Sequence, residues 1–72
     1  MIIYEPFWKT IKKKGVSTYT LIQQYHISSS TINRMRQNQG ISTITINDLC
    51  RILNCRVEDI LLYVETEDEQ KL

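Results

Sequence analysis

The sequence predicts an all-α chain built from five short helices and no sheet. Three observations carry that prediction. Apolar residues recur at helical offsets of 0, 3, 4 and 7 in Ile46, Leu49, Cys50 and Leu53, and again in Val57, Ile60, Leu61 and Val64. Hydroxyl residues or a proline stand ahead of the apolar stripes, where helices start. The alternating run "ISTITI", residues 41–46, is short and faces no partner strand, so a strand is rejected there.

The elements follow in order. "PFWKTIKKK", residues 6–14, reads as a helix. Pro6 suits its first position, Phe7, Trp8 and Ile11 form its apolar stripe, and Gly15 is its natural stop. Ser17 or Thr18 caps a second helix with Leu21, Ile22 and Tyr25 on one face. His26 and Ile27 make a turn, and Ser28 or Ser29 caps a third helix, about 29–38, in which Ile32 and Met35 point inward. "QNQGIST" is a loop, Thr45 precedes the fourth helix, and the fifth follows the joint "NCR" with Glu58 and Asp59 in its first turn. Residues 1–64 form one domain, and the acidic stretch 65–72 is expected to be a flexible tail.

A chain of 72 residues buries only about 60% of its unfolded surface, so helix packing or dimerisation has to carry its stability. Cys50 and Cys55 stand too close in sequence to staple a useful loop, and two cysteines without a framework fit a reducing compartment. No apolar run approaches the ~20 residues of a membrane span, and "MIIYEPFWK" lacks a signal-peptide core, so a cytoplasmic protein without membrane association is expected.

The net charge of +1 hides an uneven distribution. Between residues 6 and 47 lie Lys9, Lys12, Lys13, Lys14, Arg34 and Arg36, with no acid at all. The acids gather after residue 47. A local excess of basic charge is what a polyanion selects through counterion release, although a solvated lysine face would look the same.

Residues 18–37 decide between these readings. A helix of about seven residues, a tight turn and a helix of about nine make a helix-turn-helix. Its second helix enters the major groove by its N-terminal end. Ser28 would satisfy free N–H groups there, while Ser29, Ser30 and Thr31 are short enough for close approach to base edges and phosphates. Asn33, Arg34 and Gln37 lie further along the exposed face, with Arg34 able to bond a guanine bidentately or to hold a phosphate.

"STYTLIQQYHISSSTINRMR", followed by "ISTITINDLCRILNCRVEDILLYV", resembles the phage-repressor-like (XRE, Cro/CI-type) helix-turn-helix transcriptional regulators. The pattern "LC-x-IL-x-C-x-x-x-DIL-x-Y" is similar to that of their small single-domain members, and "FWKTIKKKG" to their first helix. The resemblance implies a five-helix lambda-repressor-like domain that binds double-stranded operator DNA, usually as a homodimer. By motif position it places Thr18 on a phosphate or base, Ser29, Ser30, Asn33, Arg34 and Gln37 toward bases or backbone, and first-helix lysines such as Lys13 with Asn38, Gln39 and Ser42 near phosphates. Two positions depart from the family pattern: Ile22 replaces an alanine at the helix crossing, and His26 replaces a turn glycine at a site that often needs positive φ, which histidine tolerates better than most residues.

Other chemistries find little support. The cysteines lack metal-ligand spacing, and the resemblance implies that both are small core residues, with a redox switch as the sharper alternative. No cofactor, metal or small-molecule ligand is expected, and no enzymatic activity, since the serine run lacks any base but His26. Leu62 and Tyr63 fall off the last stripe and are either satellite core or a patch buried in a dimer. The rival function is a protein-binding helix-turn-helix module, an antitoxin or co-regulator, carried by that patch and the acidic tail.

Overall fold

In the computed structural model, which describes residues 1–67, four α-helices surround one core: α1 (Glu5–Lys14), α2 (Thr18–Gln23), α3 (Ser29–Arg36) and α4 (Thr43–Leu53). A single 3-10 turn, Val57–Asp59, follows α4. Two-residue strands β1 (Ile2–Ile3) and β2 (Leu62–Tyr63) pair antiparallel, Ile2 opposite Tyr63 and Ile3 opposite Leu62. Two expectations are thereby corrected, the fifth helix and the absence of a sheet.

The hydrogen bonds supply the reason. A helix running on past Ile60 would give the carbonyls of Asp59 and Ile60 to Tyr63 and Val64. Both are already taken by α1: Thr10 Oγ1 donates to the Asp59 carbonyl at 2.8 Å, and the Phe7 N–H donates to the Ile60 carbonyl at 3.2 Å. Phe7 has a free N–H because it lies in the first turn of a helix. The Val64 N–H turns instead to the Met1 carbonyl at 2.8 Å, and the Met1 ammonium donates to the Val64 carbonyl at 2.6 Å. The chain leaves the 3-10 turn extended.

Each α-helix is closed by a residue in the left-handed region, Gly15, His26, Asn38 and Asn54 in turn. At Gly15 the turn is a Schellman motif, with the Val16 N–H reaching the Ile11 carbonyl at 2.9 Å. His26, at φ 61°, performs the same duty between α2 and α3, and the Ile27 N–H returns to the Leu21 carbonyl at 3.0 Å. The positive φ expected of this turn position is present.

The core comprises Tyr4, Phe7, Ile11, Leu21, Ile27, Ile32, Met35, Leu49, Leu53 and Ile60, with Trp8, Ile22, Cys50, Cys55 and Leu61 partly buried against it. Tyr25 and Val57, expected inside, are 47% and 49% exposed. Tyr25 lies beyond the end of α2, so the helical phase that would have turned it inward is lost. Tyr4, assigned no role from sequence, is only 2% exposed. Its hydroxyl donates to the Gln39 carbonyl at 2.8 Å and its N–H to Asn38 Oδ1 at 3.1 Å, which ties the N-terminus to the loop after α3.

No helix among the described residues is long and apolar enough to cross a membrane. Most of the predicted tail, residues 68–72, lies outside the described residues.

Candidate nucleic-acid interface

The three helices after α1 begin alike. "STYT", "SSST" and "STIT" place a serine at the cap of α2, α3 and α4 and a threonine at the third helical position. Ser17 Oγ accepts the Thr20 N–H at 3.0 Å, Ser28 Oγ the Thr31 N–H at 3.1 Å, and Ser42 Oγ the Thr45 N–H at 3.1 Å. The two hydroxyls of each pair lie 3.0, 2.8 and 3.0 Å apart. Capping boxes ordinarily carry Glu or Gln at that third position. Threonine there completes the cap with no negative charge, and no acid occupies the first turn of any of the three helices. By contrast, α1 starts with Glu5 and the 3-10 turn carries Glu58 and Asp59. The positive dipole ends of α2, α3 and α4 are therefore left uncancelled.

Along α3 and at its C-cap, Ser29, Ser30, Asn33, Arg34 and Gln37 are all exposed; Ser30, Asn33, Arg34 and Gln37 share the side opposite Ile32 and Met35, and Ser29 lies at its flank in line with Arg36. Ser28 is exposed as the cap, while Thr31 is half-buried and its hydroxyl is committed to Ser28. Thr18 is half-buried at the first position of α2. Asn38 is exposed, but its left-handed backbone and its amide oxygen serve the Tyr4 link, so its first duty is structural. Ser42, expected in a phosphate-facing loop, is the α4 cap.

The cations divide in two. Lys9 pairs with Glu5 at 3.1 Å, Arg51 with Asp48 at 3.6 Å and Arg56 with Glu58 at 3.5 Å. Lys12, Lys13, Lys14 and Arg34 pair with no carboxylate among the described residues, and all four are exposed. Unpaired cations thus belong to the acid-free part of the chain. Arg36 is held differently, its guanidinium carbon 5.6 Å from the centroid of the Trp8 ring.

The sequence reading passed over Tyr19 and Ile44, exposed at 71% and 73% at the second position of α2 and α4. The repeated Ser-x-x-Thr spacing would have exposed them as outward-pointing. Leu62 and Tyr63 are exposed on β2, beside the exposed Met1 and Ile2. Cys50 and Cys55 are free and half-buried. Burial, with the neighbouring Cys50, pushes the Cys55 thiol up to about 11, which keeps it protonated and poorly nucleophilic at neutral pH. That favours packing over a redox role. Among the described residues no cluster of His, Cys, Asp or Glu could hold a metal ion.

Residues 7–66 match the family profile described as the Cro/C1-type HTH DNA-binding domain. The fold is similar to that of the crystal structure of the transcriptional regulator VanUg (Form II), with a TM-score of 0.78 over 85% of this chain and 81% of that one, at 24% identity. No curated protein matches the chain in sequence.

Proposed function

This chain belongs to the Cro/C1-type helix-turn-helix DNA-binding domain family, and we propose that it is a sequence-specific transcriptional regulator that reads the major groove of double-stranded DNA with α3. The observation that carries this reading is the exposed side of α3. There Ser29, Ser30, Asn33, Arg34 and Gln37 stand clear of the core, behind a helix start capped without an acid. Hydroxyl and amide groups are compatible with base edges, and among the described residues no carboxylate holds Arg34 back. Lys12, Lys13, Lys14 and Thr18 supply phosphate contacts, which fix register and orientation without reading sequence.

Repression by occluding a promoter is the simplest mode, since occupying the site suffices for it. Two copies act together, reading half-sites about 34 Å apart, one turn of DNA. The exposed apolar side chains gathered on the terminal strands, Leu62 and Ile2 among them, support self-association there.

The test is fluorescence anisotropy against a random pool of duplex DNA at several salt concentrations, for the native chain and Arg34→Glu. Steep salt dependence in the native chain, weakened or lost in the variant, supports the reading, and selection from the pool then yields the operator. Failure of the native chain to bind even at low salt overturns it and leaves a protein-binding module as the function. In that event Arg34→Glu with Lys13→Glu leaves partner binding intact.

A further inference from the structure

Arg36 lies on α3 but off its exposed reading side, between that side and α1. Its guanidinium stacks over Trp8 at 5.6 Å, and the Trp8 ring is itself set edge-on against the wholly buried Phe7, centroids 4.8 Å apart at 72°. One nitrogen of that guanidinium, Nη1, donates to Asn33 Oδ1 at 3.5 Å, one turn back along α3. A run of contacts therefore leads from the core through Phe7, Trp8 and Arg36 to an amide on the candidate DNA-facing side.

An asparagine amide has one oxygen that accepts and one nitrogen that donates twice. An arginine only donates, so the oxygen is the atom it holds. With Oδ1 turned toward Arg36, Asn33 offers the outside its N–H groups. The bidentate pairing of asparagine with adenine needs both halves of the amide, the oxygen for N6–H and the nitrogen for N7. The oxygen keeps a second lone pair, but an amide held with that oxygen turned along the helix toward Arg36 presents its N–H side outward and suits an acceptor edge instead, such as guanine N7 and O6.

We propose that Arg36 is a positioning residue for sequence specificity: anchored on Trp8, it holds the Asn33 oxygen and thereby turns Asn33 from an adenine reader into a reader of acceptor edges. This rests on the DNA-binding reading above. In this account Arg36 acts through Asn33 rather than through a phosphate, with its guanidinium face on Trp8 and one of its N–H donors on Asn33.

The experiment is selection from random duplex DNA followed by competition anisotropy, for the native chain, Arg36→Met, Trp8→Leu and Asn33→Ala. Arg36→Met removes the donor. Trp8→Leu removes the platform and leaves the arginine charge. Both are expected to move preference at one position of the site toward adenine, on the order of tenfold, with the other positions unchanged. Asn33→Ala erases preference at that position, and adding Arg36→Met to it changes nothing further there. Arg36→Met is an exposed change that leaves the core intact, so it decides the matter even where Trp8→Leu unfolds. A uniform loss of affinity across all sequences, with a salt slope shallower by about one, overturns the proposal in favour of a phosphate contact. Binding with unchanged base preference overturns it as well and spares the DNA-binding reading. A native chain that binds no duplex at any salt removes both.

Discussion

Ser28 offers a way to separate the folding role of the α3 cap from its place at a DNA surface. Its Oγ accepts the Thr31 N–H at 3.1 Å and lies 2.8 Å from Thr31 Oγ1 and 3.1 Å from Ser30 Oγ. Ser28→Ala deletes the cap and is expected to cost about 1 kcal/mol, which in a domain of this size lowers Tm by about 4–8 °C. Ser28→Asp keeps an acceptor at the same place, caps equally well, and adds a favourable charge–dipole interaction of about 0.3–1 kcal/mol. Its folding stability should equal or exceed that of the native chain. DNA binding should behave in the opposite way. A unit negative charge about 5 Å from a phosphate costs about 0.8 kcal/mol at the dielectric of water and about 3 kcal/mol at the effective value of 20 found near protein surfaces. That range is roughly a fourfold to 150-fold loss of affinity, and it should shrink as salt is added. Ser28→Ala removes no charge and should bind nearly as well as the native chain wherever it is folded. Thermal unfolding followed by circular dichroism, with anisotropy on a fluorescent duplex at low and high salt, measures both quantities. A Ser28→Asp protein that is as stable as the native chain and binds within twofold of it at low salt would refute the placement of the α3 start beside phosphates.

Three further changes probe the fold and its chemistry, and a fourth the assembly. Tyr4→Phe removes the donor to the Gln39 carbonyl and should cost about 1–3 kcal/mol, read as a lower urea midpoint at unchanged slope; an unchanged midpoint contradicts the link between the N-terminus and the loop after α3. His26→Gly should leave Tm unchanged or raise it, because release of the left-handed strain, roughly 1–2 kcal/mol, offsets the entropic cost of glycine, about 0.5–1 kcal/mol; His26→Val should lower Tm, and a tolerated valine rules out a required positive φ. In a Cys50→Ser background, Cys55 should still react slowly with thiol reagents at neutral pH and gain about tenfold in rate per pH unit as pH rises toward its raised value, because burial, the largest cause of that rise, remains. Below the ordinary thiol value of 9.0 Cys55 is protonated whether folded or unfolded, so it adds no pH dependence to stability; between 9.0 and about 11 the unfolded chain loses the proton first, and stability should fall. Leu62→Lys should shift a dimer toward monomer in sedimentation equilibrium without lowering Tm at low protein concentration, and an unaltered distribution places self-association elsewhere.

Local chemistry made much of this protein legible in its sequence. Serines before apolar stripes mark helix starts wherever the chain goes next, because the cap satisfies N–H groups of its own first turn. Ser28, the outward side of α3 and the inward Ile32 and Met35 follow from that start and the helical period alone. The positive φ of His26 was signalled by the family resemblance, in which a glycine usually holds that turn position. Even the missed cap of α4 was present as a repeated Ser-x-x-Thr, hidden because "ISTITI" also alternates.

What failed were readings that depended on which group a distant segment would claim. Val57, Ile60, Leu61 and Val64 carry a helical stripe, yet the helix stops after one turn because Thr10 and the Phe7 N–H occupy the carbonyls it needed. Val64 then pairs with Met1 across nearly the whole chain, a partnership no local pattern encodes. Arg36 looked like a free surface charge until Trp8 lay beneath it, and Tyr4 holds the Asn38 oxygen, which leaves the amide N–H groups as the donors a phosphate would take. The sequence by itself determined where helices begin, which faces are apolar and which part of the chain lacks acids, since these are set within a turn or two. Only the tertiary structure decided the path of the chain after Ile60 and which partners its polar groups take, because those partners come from segments distant in sequence.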